Sequence, residues 1–376
     1  MSRMPCLFLL CAAFAVSAFA LSATAEDRSV RGTGAEVDLG PRIRAVNQLF
    51  VPWDKTNSPG IAIVIVKDGK IVFHRGFGMA DIEAGRAITP ATVFDAASLA
   101  KQFTGFAIST LIEQQKLAAD DDVRKYLREL PDFGKVITIS HLLHHTSGLR
   151  DWGSGTYTNN PPRPVTLTTS GIVEMVTREK ALDFDPGDKN KYCNTGYNLL
   201  AAVVERVTKQ PLRIWMNENV FKPLSMTCTQ LRDDLSIPVA DMAYSYQTNN
   251  AGGFVKRGVG LAPIGSSSLY ISADDFAKWL ANFDTARVGG TTVLARMQVP
   301  GALNNGNKVN YGFGLFLGEF RGRRMVTHNG CWGGCNSSFW YVAGDKLGVV
   351  VLSNTGAEEV WGLATKIATL WLAECP

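Results

Sequence analysis

Ser98 and Lys101 stand three residues apart in the run Phe94-Asp95-Ala96-Ala97-Ser98-Leu99-Ala100-Lys101, where Phe103, Phe106, Ala107, Leu111 and Ile112 predict a helix from Ser98 to about Leu117. Residues so spaced share a helical face, so the amine of Lys101 can reach the hydroxyl of Ser98. Serine is a poor nucleophile until an adjacent base takes its proton. Lysine can be that base only where burial or a neighbouring positive charge lowers its pKa. Unpaired N–H groups at the helix start would favour the negative charge that develops there. Taken alone, the pair is also open to a second reading, in which Ser98 merely caps the helix and Lys101 is solvated.

Two further elements carry polar chemistry. The turn-rich run from Phe184 to Asn190 delivers Tyr192 and Asn194 with one residue between them, ahead of a helix beginning near Gly196. A phenol can pass a proton, and an asparagine can donate to a carbonyl and accept from an amine. His328-Asn329-Gly330 follows a strand and precedes the glycine-rich turn Cys331-Trp332-Gly333-Gly334-Cys335. Gly330 lets another backbone or a ligand approach a strand closely, as an edge that offers an N–H to an oxyanion requires. A loop tyrosine and a plain turn glycine are the alternatives for these two.

The elements that must position these residues follow from periodicity. Ile43, Val46, Leu49 and Phe50 mark an amphipathic first helix starting near Pro41, and Ile61–Val66 with Lys70–Phe73, joined at Asp68-Gly69, form a hairpin. From Ala118 to about Met216 helical segments alternate with loops, among them Thr156–Pro164, a candidate rim for a cleft. Strands return at Tyr311–Leu317, Arg324–Thr327, Ser337–Val342 and Leu347–Leu352, followed by a helix from about Ala357 to Leu372. Strands near both ends and helices between them predict one sheet shared by the termini and a second, helical lobe.

In that order and at those separations, Ser98-x-x-Lys101, Tyr192-x-Asn194 and His328-x-Gly330 resemble the serine β-lactamase and penicillin-binding protein superfamily, in the branch of class C β-lactamases, DD-peptidases and related esterases. Ile139-Ser140-His141-Leu142-Leu143-His144-His145-Thr146-Ser147-Gly148-Leu149 is similar to a hallmark loop of that branch, as are the run from Gly265 to Asp275 and Tyr311-Gly312-Phe313-Gly314-Leu315. The likeness extends from about Asn47 to Leu372. It implies an α/β (α+β) fold, with an antiparallel sheet flanked by helices plus an all-helical lobe at about 118–260, and one hydrolase domain over 41–376. It implies Ser98 as nucleophile, Lys101 as its base partner, Tyr192 as proton relay and Asn194 as substrate contact. His328 and Gly330 would line the sheet side, and the backbone N–H groups of Ser98 and Cys331 would form the oxyanion hole.

The sequence departs from the family pattern at Cys193, where small polar residues are usual, and at His328, where β-lactamases typically carry lysine. A mostly neutral imidazole replaces a fixed cation there, so a carboxylate-bearing β-lactam is a less assured substrate than an ester, a D-amino-acid amide or a peptide end. The expected activity is therefore that of an exported esterase, amidase or peptidase working through an acyl-enzyme. A DD-carboxypeptidase or β-lactamase is the alternative, and a protein that acylates without turnover is the rival of another class.

The remaining signals bound this reading. Arg3, the apolar run Leu7–Leu21 and Ala23-Thr24-Ala25 have the layout of a signal peptide over residues 1–25, with a polar segment over 26–40. Cleavage after Ala25 would leave 351 residues at a formal charge of +3 (376 less 25, and +4 less Arg3), without the basic runs of a nucleic-acid surface or a stable membrane span. The partner expected is a small-molecule or peptide substrate, with no cofactor. His141 and His145 sit four apart, but position 142 is leucine rather than the glutamate of a zinc-protease motif, which favours a structural role. Cys331 and Cys335 suit a local disulfide better than zinc in an exported chain, two unpaired thiols being the alternative. No G-x-S-x-G or G-x-x-x-x-G-K-[ST] run occurs, so neither an α/β-hydrolase elbow nor nucleotide binding competes.

Overall fold

A computed structural model describes residues 39–153, 167–234, 236–249, 252–257, 263–356 and 359–372. The expected signal peptide over 1–25, most of the polar segment, the loop Thr156–Pro164 and Cys375 lie outside them. From Gly40 onward the chain folds as one compact unit.

Helix α1 (Gly40–Phe50) leads into the hairpin of strands β1 (Ile61–Lys67) and β2 (Lys70–Phe77). Asp68 and Gly69 both take positive φ at its turn, the conformation in which a two-residue turn matches the strand twist. Helices α2 (Ala100–Glu113), α3 (Ile139–Leu143), α4 (Asn194–Thr208) and α5 (Ala273–Thr285) precede the C-terminal strands. Those are β3 (Phe316–Phe320), β4 (Arg323–Trp332), β5 (Cys335–Val342) and β6 (Leu347–Ser353), followed by α6 (Glu359–Leu372).

The six strands form one sheet in the order β3-β4-β5-β6-β1-β2, so the two ends of the chain meet where β1 pairs antiparallel with β6. Every residue of β1 from Ile61 to Val66 is buried, which is why the strand reads as an unbroken apolar run. Ala62, Val64 and Val66 join the main core, while Ile61, Ile63 and Ile65 point to the opposite, equally buried face.

Several boundaries differ from those predicted. A single 3-10 turn, Ala97–Leu99, holds Ser98 before α2 begins, and α2 ends at Glu113 rather than near Leu117. Tyr311 lies before β3, and β4 runs on through His328-Asn329-Gly330 to Trp332. The region 118–260 is not purely helical, because it contains Gln230–Leu231 and the pair Tyr246–Thr248 and Phe254–Lys256. Gln230–Leu231 and Val93–Asp95 both pair with Leu269–Ser272, an arrangement that ties the strand before Ser98 to the far side of the helical region.

The pairing of β4 with β5 also settles the cysteines. Trp332 faces Cys335 and Cys331 faces Asn336 across the ladder, so Cys331 and Cys335 project from opposite faces of the hairpin. A disulfide needs the two Cβ atoms to converge. The expected Cys331–Cys335 bridge does not form: Cys335 is a buried thiol, and Cys331 is exposed on the other face.

Candidate active site

Ser98 follows a backbone that is held open by force of contacts. Ala97 takes φ +48, a left-handed conformation that costs a non-glycine residue of order 1–3 kcal/mol and persists only where its surroundings dictate it. The Ala97 N–H donates to Asp95 Oδ1 at 2.9 Å, and the Ala96 N–H donates to the Leu269 carbonyl at 2.8 Å. On the sheet side Ser337 Oγ donates to the Ala96 carbonyl at 2.8 Å. Gly330 lies against that same carbonyl: a Cβ there would stand 2.3 Å from it and 2.3 Å from Ser337 Oγ. The close approach foreseen at Gly330 is thus made by the turn that carries Ser98. Neither Ala97–Leu99 nor α2 uses a side chain as its N-cap, so the Ser98 hydroxyl is not spent on capping.

Lys101 sits in the first turn of α2, a helix buried around nearly its whole circumference, and its side chain is 0% exposed. Its Nζ donates to Ser98 Oγ at 3.1 Å, to Asn194 Oδ1 at 2.8 Å and to the Ser266 carbonyl at 2.7 Å. Burial pulls its pKa down to about 7, against the opposing pull of Asp151 and Cys193. Hydrogen counting then decides its chemistry. A neutral amine has two N–H bonds, and the Asn194 and Ser266 oxygens, acceptors only, take both. The remaining lone pair faces Ser98 Oγ, the geometry of a base for that hydroxyl.

Tyr192 and Asn194 flank Cys193 at the start of α4. The Tyr192 ring packs at a tilt against His145, 4.3 Å between centroids, and lies nearly parallel to Phe316 at 6.4 Å. The ring edge opens to the cleft and leaves the residue 37% exposed, yet the hydroxyl lies deeper, where burial pushes the phenol upward and Ser98 partly offsets it. The phenol therefore keeps its proton at neutral pH, while Lys101 is poised to lose one. Cys193 is buried, its Sγ donating to the Leu149 carbonyl at 3.4 Å, and burial lifts its thiol to about 12. It fills space and is not a rival nucleophile. Asn194 lines the cleft and is held between Lys101 and Asp151: its backbone N–H donates to Asp151 Oδ1 at 2.8 Å and its Nδ2 to Asp151 Oδ2 at 3.2 Å.

The sheet wall carries His328. It is 1% exposed, and the Asn329 carbonyl at 2.7 Å fixes the proton on Nδ1, leaving Nε2 to accept from the Tyr311 hydroxyl at 2.9 Å. Burial, with Lys101 nearby, brings its pKa down to about 3, so the ring is neutral. Both ring nitrogens are occupied, so His328 acts on the cleft by holding Tyr311. Cys331 is exposed on the same wall. Strand β3 begins only at Phe316, opposite Thr327, so among the described residues β4 beyond Thr327 has only β5 as a strand neighbour. His141 and His145 serve separate local ends: His141 completes the capping box of α3, and His145 Nδ1 accepts the Cys193 N–H at 3.1 Å.

Together these residues open on a cleft of about 760 Å³, lined by Ser98, Tyr192, Asn194, His328 and Cys331. Tyr311 and Trp332, both within the runs quoted above, also line it, as do Asp151, Trp152 and Trp361, which were not singled out from the sequence. Asp151 stands two residues beyond the hallmark loop that ends at Leu149, which is the signal that could have found it. The Ser266 carbonyl is invisible to side-chain motifs.

A family model described as Beta-lactamase matches residues 46–368. A D-aminopeptidase of Cereibacter sphaeroides is 29% identical over 320 residues, covering 85% of this chain and 61% of that protein. One of Brucella anthropi is 28% identical over 305 residues, covering 80% and 58%. The chain spans about three fifths of the length of these relatives. Among solved structures, the octameric penicillin-binding protein homologue from Pyrococcus abyssi superposes with a TM-score of 0.77 at 26% identity, over 89% of this chain and 77% of that one. The D-amino acid amidase from Ochrobactrum anthropi SV3 shares the fold with a TM-score of 0.72 at 20% identity, over 89% and 97%.

Proposed function

This chain belongs to the beta-lactamase family, and we propose that it is a serine hydrolase that cleaves amide, peptide or ester bonds through an acyl-enzyme on Ser98. The observation that carries this reading is the hydrogen-bond environment of Lys101, which leaves a lone pair for Ser98 and no other use for it. Ser98 Oγ attacks the substrate carbonyl carbon as Lys101 takes its proton. The oxyanion is received by the backbone N–H groups of Ser98 and Cys331. The carbon–nitrogen bond then breaks while the Tyr192 phenol protonates the leaving amine, and the Lys101 ammonium restores the phenol's proton. Water repeats the sequence in reverse to free Ser98.

Substrate class follows from charge and from the relatives. Among the described residues lining the cleft none is an arginine or lysine, and His328 is neutral, so nothing there matches a substrate carboxylate. The matched relatives bear the name D-aminopeptidase. D-aminoacyl amides and peptides therefore rank first, simple esters next, and penicillins last. Intact-protein mass spectrometry after exposure to each class, paired with steady-state turnover, is the test. We expect a transient acyl adduct on Ser98 with D-aminoacyl amides and esters. An adduct that never decays would make the protein a non-turnover acylating one, and no adduct with any class would sink the proposal.

Export rests on residues 1–25 alone, with the apolar run Leu7–Leu21 as its support. N-terminal sequencing of secreted protein should read from Glu26, and a retained Met1 would exclude cleavage.

A further inference from the structure

We propose that Asp151 is a positioning residue of the reaction: its carboxylate sets the direction of the Asn194 amide, and through it the direction of the Lys101 lone pair. The inference rests on the reading of Lys101 as the base for Ser98. An asparagine side chain can face either way, and its two ends differ only in hydrogen-bonding sense. A carboxylate accepts and cannot donate. With Asp151 Oδ1 on the Asn194 backbone N–H at 2.8 Å and Oδ2 on Nδ2 at 3.2 Å, the amide nitrogen must face Asp151, so Oδ1 must face Lys101. Were the amide reversed, its N–H₂ would meet Lys101, one lysine N–H would lose its acceptor, and the lone pair would no longer be reserved for Ser98.

The surroundings fix Asp151 itself. The Arg150 carbonyl accepts from Thr195 Oγ1 at 2.8 Å, the Trp152 N–H donates to the same Oγ1 at 3.0 Å, and Trp152 Nε1 donates to Asn198 Oδ1 at 2.8 Å. Residues on both sides of Asp151 are thereby pinned to α4, the helix that begins at Asn194. The backbone contact alone would fit a helix cap, but a cap does not require the second oxygen to hold Nδ2.

The carboxylate has a second effect. Lys101 faces the rings of Tyr192 at 4.8 Å and Tyr197 at 5.7 Å, with Cys193, His145 and His328 also nearby. Both histidines are driven toward neutrality by burial, and burial keeps the Cys193 thiol and both phenols protonated. Asp151 is the group among them that supplies an anion to steady the lysine ammonium formed during acylation.

The test compares Asp151→Asn and Asp151→Glu with wild type, using an uncharged chromogenic ester, with kcat/KM followed against pH and folding checked by thermal melt. Asp151→Asn should lower kcat/KM roughly 10- to 100-fold and move its acid limb to lower pH, because the ammonium loses its stabilising anion. Asp151→Glu, which keeps the charge and displaces it by one methylene, should lower the rate and leave the limb in place. A fall in rate for Asp151→Asn with an unmoved limb would reduce Asp151 to a helix cap, and an undiminished rate in either folded variant would also overturn the inference. Should Asp151→Asn fail to fold, Asp151→Glu decides alone: reduced rate with the limb unmoved supports it, full rate overturns it. Wild-type protein that shows no Ser98 adduct would instead bring down the reading of the site, a result the mass spectrum reports separately.

Discussion

Ser98→Ala is expected to lower kcat by about 10⁴-fold or more while leaving the thermal melt within a few degrees of wild type. The size of the loss reflects what the hydroxyl does, since without it no covalent step remains and only binding and oxyanion stabilisation can act. The small cost in stability reflects what it does not do. Ser98 Oγ caps neither the turn it sits in nor α2, and Lys101 keeps its two carbonyl acceptors, Asn194 Oδ1 and the Ser266 oxygen, when the hydroxyl goes. One partly buried hydrogen bond is worth about 1 kcal/mol net. The measurements are burst and steady-state hydrolysis of an activated ester, with a melt on the same sample. Near-normal turnover by Ser98→Ala would refute the acyl-enzyme, and a melt lowered by ten degrees or so would make its inactivity uninformative about chemistry.

Lys101→Met should cost on the order of 10³-fold or more in kcat/KM and should remove the acid limb expected of wild type. Methionine fills similar space in the first turn of α2 but offers no lone pair to Ser98 and no donor to Asn194. In wild type, burial sets the Lys101 pKa at about 7. The active form is the neutral amine, so kcat/KM should rise with pH through that value and fall about tenfold per unit below it. The opposite limb should lie well above neutrality, since the Tyr192 phenol that must donate a proton is pushed upward by burial. A profile flat from about pH 5 to pH 8 would contradict a neutral-lysine base, as would Lys101→Met with substantial activity. The uncharged ester substrate keeps any limb attributable to the enzyme.

The structure also revises what a change at His328 should mean. Read from the sequence, that position exchanges a fixed cation for a neutral ring beside the substrate. In the fold the ring is neutral as expected, but its Nδ1–H is held by the Asn329 carbonyl and its Nε2 by the Tyr311 hydroxyl. A lysine there would have to bury its ammonium near Lys101 and release Tyr311, so it would not act as a simple substitution of charge. Neutrality was legible because an unperturbed imidazole, with a pKa of about 6.5, is mostly uncharged at pH 7, and burial here reinforces it. Its partners were not, because Tyr311 is brought to it by the loop ahead of β3.

What the amino-acid sequence determined by itself was local. The three-residue spacing of Ser98 and Lys101 places them on one helical face, Asp68-Gly69 turns a hairpin, and the unbroken apolar run of β1 marks a strand buried on both sides; each depends on backbone geometry over a few residues. Only the tertiary structure decided which acceptors complete the lysine's environment. Asn194 and Ser266 reach Lys101 across 93 and 165 residues, and the Ser266 contribution is a backbone oxygen that any residue type could supply. The same holds for Cys331 and Cys335, whose spacing permits a bridge until the register of β4 and β5 turns them to opposite faces. Periodicity and motif report how a segment presents its own side chains. Which distant group meets them depends on chain closure and strand register, both fixed by the packing of the whole domain.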